Sequence, residues 1–465
     1  MAIHSSHEKA TQAITQQSWG VVGGGFLGMT LALRLQQAGH RVTLIEGSQD
    51  LGGLAAPWQI GDITWDKHYH VTLMSDLRTR ALLAECGLED HMRWVETRTG
   101  FYTDGQLYSM SNTLEFLKFP PLRLIDKLRL GATIFYASKI KDPAKLENID
   151  VCDWLRKLSG KNTFEKIWLP LLRSKLGTNY DRVSASFIWA IIARMYAAKK
   201  GGLKKEMFGY LPGGYERFIA GLTGVLRDSG VEIVTGRPVE AIRRDPETGQ
   251  QRLGDGRSFD QVAVTLPTHP ALRLCREQLG AAELARHQAI EYQGIICASA
   301  ILRKPVAGYY VTNITDPAPF TAVIEMTALV DPSDLGGNHL IYLPKYVPRE
   351  DEANFSKTDE ELESEFTAAL LRMYPHLQAS DITAFRISRV RDVLALTTKD
   401  YSRNLPPVTT KAGNLHLINS SHIVNGTLNI NETIQLAEQT AEKLEWAPRQ
   451  TRTAPERPLA EIPCR

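Results

Sequence analysis

No part of this chain narrows its architecture as far as VVGGGFLGMTLALRLQQAGHRVTLIEGSQDLGG, from Val21 to Gly53. It reads as strand, glycine turn, helix, second strand and a second glycine pair. Gly23 lets the chain turn sharply out of the first strand. Gly25 lets backbone amides approach a pyrophosphate, and Gly28 lets the helix pack closely on the sheet. The apolar GVVG before the turn, the helical period of Leu27, Leu31, Leu35 and Ala38, and the RVTLIE strand supply the context that a glycine turn alone lacks. The helix, opening at Phe26 and Leu27, then faces the phosphates with unpaired N–H groups and the positive end of its dipole, so the anion site needs no basic side chain. The turn contains none. Glu46 ends the second strand about 20 residues on, where a carboxylate accepts bonds from ribose hydroxyls and repels a 2′-phosphate. That argues against NADP at this site.

The run EGSQDLGGLAAPW, carrying Glu46, Gly47, Gly52, Gly53 and Leu54, resembles the amine-oxidase and phytoene-desaturase group of flavoproteins. In that group an acidic residue is followed within a short loop by a glycine pair packed on the pyrophosphate. FGYLPGGYERFIAGLTGVLRDSGVEIVTGRPVEAI, from Phe208 to Ile242, is similar to the segment where the group re-enters its FAD domain. VAVTLP, containing Thr265, resembles the strand that closes the β-meander. Gly413 to Leu444 resembles the final strand and flavin-facing helix. The nearest branch is the one related to protoporphyrinogen oxidase and UDP-galactopyranose mutase, with its uncharacterised bacterial oxidoreductases. The resemblance implies FAD as cofactor. It also implies an α/β fold, in which a Rossmann-like FAD-binding domain (ββα plus β-meander) is interleaved with an α+β substrate domain.

Further site positions follow from the same resemblance. Val239, at the end of the VEIVTGRPV strand pattern, aligns with the position whose backbone contacts adenine; an ordinary core valine is the alternative. Many relatives carry a Gly-Asp pair after the final strand, where this chain has Asn419, Ser420 and Ser421 after Ile418. Amide and hydroxyl groups also hydrogen-bond a ribityl chain. The helix starting near Asn429 to Asn431 aims its N-terminus at the pyrimidine side of the flavin, where its dipole stabilises the anionic reduced ring. No lysine is assignable to the water-bridged position of amine oxidases.

With 465 residues, 43% of them hydrophobic, the chain can bury a large core and divide into two domains. The expected organisation is a flexible leader (1–17), a discontinuous FAD-binding domain (18–75, 202–270 and 402–446), a substrate domain (76–201 and 271–401) and a disordered tail (447–465). FYTDGQLYSM reads as a hairpin around Asp104 and Gly105. IICASAILR, TAVIEMTALV and HLIYLPKYV have strand character, and a sheet built from them would floor a substrate cavity. A net charge of +2 gives no reason to expect a nucleic-acid partner. The five cysteines have no paired spacing, which indicates neither a metal site nor a disulfide framework and points to the cytoplasm. No stretch approaches the roughly 18 uninterrupted apolar residues of a membrane span.

Flavin supplies the redox reactivity itself, so catalytic side chains can be few. WDKHYHVTLMSD, from Trp65 to Asp76, follows the second glycine pair. Alternation within a strand would put Asp66, His68 and His70 on one face. His68 and His70 could hydrogen-bond the flavin or move a proton, or simply satisfy buried neighbours. Arg173, with Lys175 and Arg194 nearby, could clamp a diphosphate as arginines do in the mutase relatives, or be a surface charge. Two apolar helices, Leu122 to Ile140 and Ala185 to Ala198, the latter followed by KKGGLKK, could touch an anionic membrane or belong to the core. The expected activity is hydride transfer between FAD and a C–C or C–N bond of a fairly large organic or lipid-like substrate. A redox-neutral, mutase-like reaction on a glycosyl diphosphate and a non-catalytic flavin-binding role are the alternatives. Oligomeric state is not legible.

Overall fold

The computed structural model describes residues 16–199 and 207–444; nearly all of the leader, the tail and most of KKGGLKK lie outside the described residues. A five-stranded sheet runs in the order Glu232–Val234, Arg41–Ile45, Ser18–Val22, Gln261–Val264, Leu415–Leu417. Every pairing is parallel. Its apolar runs are explained by burial on both faces. On one face, helix Phe26–Gln37 shares a core with helices Leu77–Glu85, Gly214–Asp228 and Ile430–Lys443. From Ser18–Val22 the chain builds first towards Arg41–Ile45 and later towards Gln261–Val264. This reversal opens a crevice at the carboxyl edge, where ligands of such sheets bind.

Ile242–Arg244, Gln251–Leu253 and Ser258–Phe259 form a separate antiparallel meander. Gln261–Val264 does not close that meander, as VAVTLP was expected to. It pairs instead between Ser18–Val22 and Leu415–Leu417, because its four apolar-rich residues fit a doubly covered position.

The second sheet has seven strands, ordered Ile382–Ala395, Tyr292–Leu302, His339–Pro348, Ala322–Glu325, Val311–Ile314, Thr99–Thr103, Gln106–Ser109. All three runs expected as strands lie in it. Its last pair is the Asp104–Gly105 hairpin, with both turn residues at positive φ (53° and 71°), as a two-residue turn requires. Alternation along Tyr292–Leu302 sends Ile296, Ala298 and Ala300 toward helix Asp359–Met373. Ile295, Cys297 and Ile301 join Trp65 and Tyr342 on the other face, toward hairpin Pro57–Ile60/Ile63–Asp66. Helices Leu124–Lys139, Val151–Ser159, Leu169–Leu176 and Ala185–Lys199 build a further core. Ala185–Lys199 is a core helix there, with Trp189 Nε1 donating to the Ala137 carbonyl at 3.0 Å. Among the described residues no helix is long and apolar enough to cross a membrane.

Candidate functional site

At the carboxyl edge the glycine turn is locked from several sides. Gly23 N–H donates to Ile45 O (2.8 Å), and Thr265 Oγ1 donates to Gly23 O (3.1 Å) from the strand across the crevice. A Cβ on Gly28 would stand 1.8 Å from Gly23 O, so only glycine lets helix Phe26–Gln37 approach this turn. Gly25 is different. A Cβ there would meet nothing nearer than Gly53 Cα, at 3.9 Å. Gly52 N–H donates to Gly24 O (2.8 Å) and lays the second glycine pair alongside that open space. The helix begins at Gly25 with no side-chain cap and no acidic residue in its first turn. Its first N–H groups therefore have no partner within the helix and carry the positive end of its dipole.

Glu46 accepts two backbone amides, Gly24 N–H at 2.6 Å and Ser48 N–H at 2.8 Å, and retains lone pairs for further donors. Gly24 was missed as a site residue, although the unbroken run of three glycines was its signal. Beyond Glu46, Gly236 N–H donates to Ser48 O (2.7 Å) and Arg237 N–H to Glu46 O (3.3 Å). Pro238 thereby packs against Gly47, and Val239 packs half-buried against the core cluster that holds Val22, Ile45 and Val262. The strand ends at Val234 rather than Val239, since Gly236 and Pro238 interrupt it.

The family model described as flavin containing amine oxidoreductase matches residues 28–444. The chain belongs to this family. Among curated relatives, 15-cis-phytoene desaturase of Capsicum annuum is 23% identical over 269 residues, covering 53% of this chain and 46% of that protein. The chain spans about half the length of the curated relatives it matches. An oxidoreductase from Methanosarcina mazei has the same fold, with TM-score 0.72 and 18% identity over 91% of this chain and 100% of that one. So does reduced UDP-galactopyranose mutase, with TM-score 0.70 and 14% identity over 93% and 96%.

Family membership brings with it the oxidoreductase class and FAD as cofactor, and the cradle fits that group. An uncapped helix end would receive its pyrophosphate, the space beside Gly25 would admit it, and Glu46 would accept from a ribose. The side-chain amides at three expected flavin contacts have partners within the protein. Asn429 caps its own helix, accepting Glu432 N–H at 3.0 Å and donating to Thr427 O at 2.8 Å. Asn431 Oδ1 accepts Arg78 N–H (2.9 Å) and Thr79 N–H (3.3 Å), capping helix Leu77–Glu85. Asn419 is buried and accepts the Ser421 hydroxyl (2.6 Å), Ser421 N–H (3.0 Å) and Tyr292 OH (3.3 Å). In each case helix or turn ends left unsatisfied by the backbone claim the amide.

The Asp66, His68 and His70 side chains do not share a face, because the strand stops at Asp66 and the next residues are irregular. Asp66 Oδ1 accepts Tyr215 N–H at 2.7 Å, and its carbonyl accepts Tyr342 OH at 2.6 Å. His68 is buried between Leu54 O (3.0 Å from Nδ1) and Ser388 Oγ (3.1 Å from Nε2). Burial pulls its pKa down to about 4, which favours the neutral imidazole, and the ring joins the Leu54 segment to Ser388. His70 turns another way, its ring 4.8 Å from that of Tyr215 and its Nδ1 3.8 Å from Asp66 Oδ2. That nitrogen is buried without a hydrogen-bond partner.

Arg173 is exposed, its guanidinium 5.0 Å over the Tyr180 ring, which fits the surface-charge alternative. Its neighbour Lys175 instead donates to Tyr346 OH at 3.4 Å, and Tyr346 OH bonds Tyr69 OH at 2.8 Å. Burial raises the Tyr69 phenol well above its ordinary pKa, so it is a neutral hydroxyl. Tyr69, Lys175 and Tyr346 are far apart in sequence, and no spacing links them.

Proposed function

We propose that the protein transfers hydride between FAD and a C–C or C–N bond of a fairly large, apolar organic substrate. One observation carries this reading. The segment that starts in the phosphate cradle at Gly52 continues through Leu54 and His68 onto the face of the seven-stranded sheet lined by Tyr69, Tyr342, Ile295 and Val390. Bound FAD supplies the hydride acceptor. The chain's own residues do the rest: the glycine turn and helix end hold phosphate charge, and His68 fixes the cofactor loop to the sheet. The aromatic face excludes water from apolar substrate, and His70 Nδ1 is free to hold a proton. Arg173, on which a diphosphate clamp would rest, stacks on Tyr180 and lends that alternative no support.

The test is anaerobic titration of the purified, FAD-loaded protein with a panel of amines and polyenes, then with NADH, NADPH and dithionite. Bleaching of the oxidised flavin band by an organic substrate is the expected result. Turnover of a glycosyl diphosphate only after prior reduction would replace this reading with a redox-neutral one, and a flavin that no organic substrate or reductant reaches would leave a binding role.

A further inference from the structure

Helix Leu124–Lys139 is inside out. Its buried side carries Asp126, Lys127 and Thr133 besides Leu130 and Ala137. Each polar group there has a partner: Lys127 Nζ donates to Leu117 O (2.7 Å), Asn162 Nδ2 donates to Asp126 Oδ2 (2.7 Å), and Thr133 Oγ1 bonds Ser159 Oγ (2.9 Å). Leu124, Ile125, Leu128, Phe135 and Tyr136 face outward, with Leu128 58% and Phe135 56% exposed. An ordinary surface helix has the opposite arrangement. The adjoining helix Thr113–Lys118 adds Leu114 and Leu117. Of the eleven exposed large apolar side chains among the described residues, seven lie on these two helices.

The charges on these two helices and the turn between them are mainly basic. Residues 113–141 hold six basic and two acidic side chains. Of the acids, Asp126 is buried, and Glu115 is bound to Ser109 Oγ (2.5 Å) and Ser111 N–H (2.8 Å). Lys118, Arg123, Arg129, Lys139 and Lys141 are exposed, and Lys139 Nζ sits 5.1 Å over the Phe135 ring, at the rim of the apolar surface.

We propose that this face docks in the plane of a bilayer surface bearing anionic headgroups. A helix about 24 Å long, at 1.5 Å per residue, lies in the interface with Leu124, Ile125, Leu128 and Phe135 below the headgroups and the cations among them. A second copy of the chain does not fit, because a twofold pairing of this face sets one basic rim against another. The inference is independent of the reaction catalysed.

Flotation of the full-length, FAD-loaded protein with vesicles tests it. Binding to vesicles of phosphatidylcholine mixed with phosphatidylglycerol is expected to be at least tenfold tighter than to phosphatidylcholine alone, and to weaken near 1 M salt, where screening reaches about 3 Å. Combined Ile125→Ser, Leu128→Ser and Phe135→Ser should lower binding tenfold or more with FAD content and melting temperature kept. Leu77→Ser, at a side chain exposed outside this face, should bind like the parent. Arg129→Gln with Lys139→Gln should reduce the preference for phosphatidylglycerol. No binding by the parent, or equal binding by the triple variant, overturns the proposal. So does a parent dimer that the triple variant converts to monomer while neither binds vesicles.

Discussion

Nε2 of His68 lies 3.1 Å from Ser388 Oγ, and through this pair the loop beside the phosphate cradle is held to the edge strand of the second sheet. The same imidazole takes the Leu54 carbonyl on its other side. His68→Ala leaves the buried Ser388 hydroxyl and the Leu54 carbonyl without this partner. Denaturant unfolding should show a loss of about 1–3 kcal/mol, with weaker FAD retention because Leu54 is released.

Acid should destabilise this protein early. Burial holds His68, His287 and His416 neutral, each with its pKa drawn down to about 4. In the unfolded chain each protonates near 6.5. Between those values the unfolded state binds protons that the folded state refuses. Their contribution is complete above about pH 6.5 and falls by about 1.4 kcal/mol per pH unit for each imidazole as the pH drops toward 4. Urea unfolding at pH 7, 6 and 5 checks the slope, and His416→Gln should flatten it.

Gly25 and Gly28 should separate cofactor binding from folding. Gly28→Ala forces a Cβ against Gly23 O and should lower both the melting temperature of the apoprotein and FAD content. Gly25→Ala finds room in the protein but occupies the space offered to the pyrophosphate. Its apoprotein should melt like the parent, while the FAD dissociation constant rises about tenfold or more, the equivalent of 1.4 kcal/mol or more. Equal FAD affinity in Gly25→Ala would move the phosphate site elsewhere.

His70→Ala should keep FAD and stability while slowing flavin reduction by the organic substrate at least about tenfold, at the lower end of what lost acid–base help costs. An unchanged rate in stopped flow would return His70 to a packing role beside Tyr215.

The glycine turn and its flanking elements were legible because every requirement on them is local. Strand, turn and helix end are consecutive, and steric limits at Gly23 and Gly28 permit no other residue type. The histidine segment was misread because period-two alternation holds only while a strand continues, and here it stops at Asp66. Asn429 and Asn431 give their amides to backbone groups at helix ends, Asn431 to a helix more than 350 residues earlier in the chain, and the Asn419 amide bonds mainly side-chain hydroxyls.

Spacing along the chain was enough to specify a dinucleotide-binding α/β protein, because backbone sterics and helix ends act over a few neighbouring residues; FAD followed from the family resemblance. They could not bring Tyr69, Lys175 and Tyr346 together, nor say which side of Leu124–Lys139 faces the solvent. An apolar periodicity reads the same whether its stripe is covered or bare. Tertiary packing, which gave Lys127 and Asp126 their partners, turned the leucines outward.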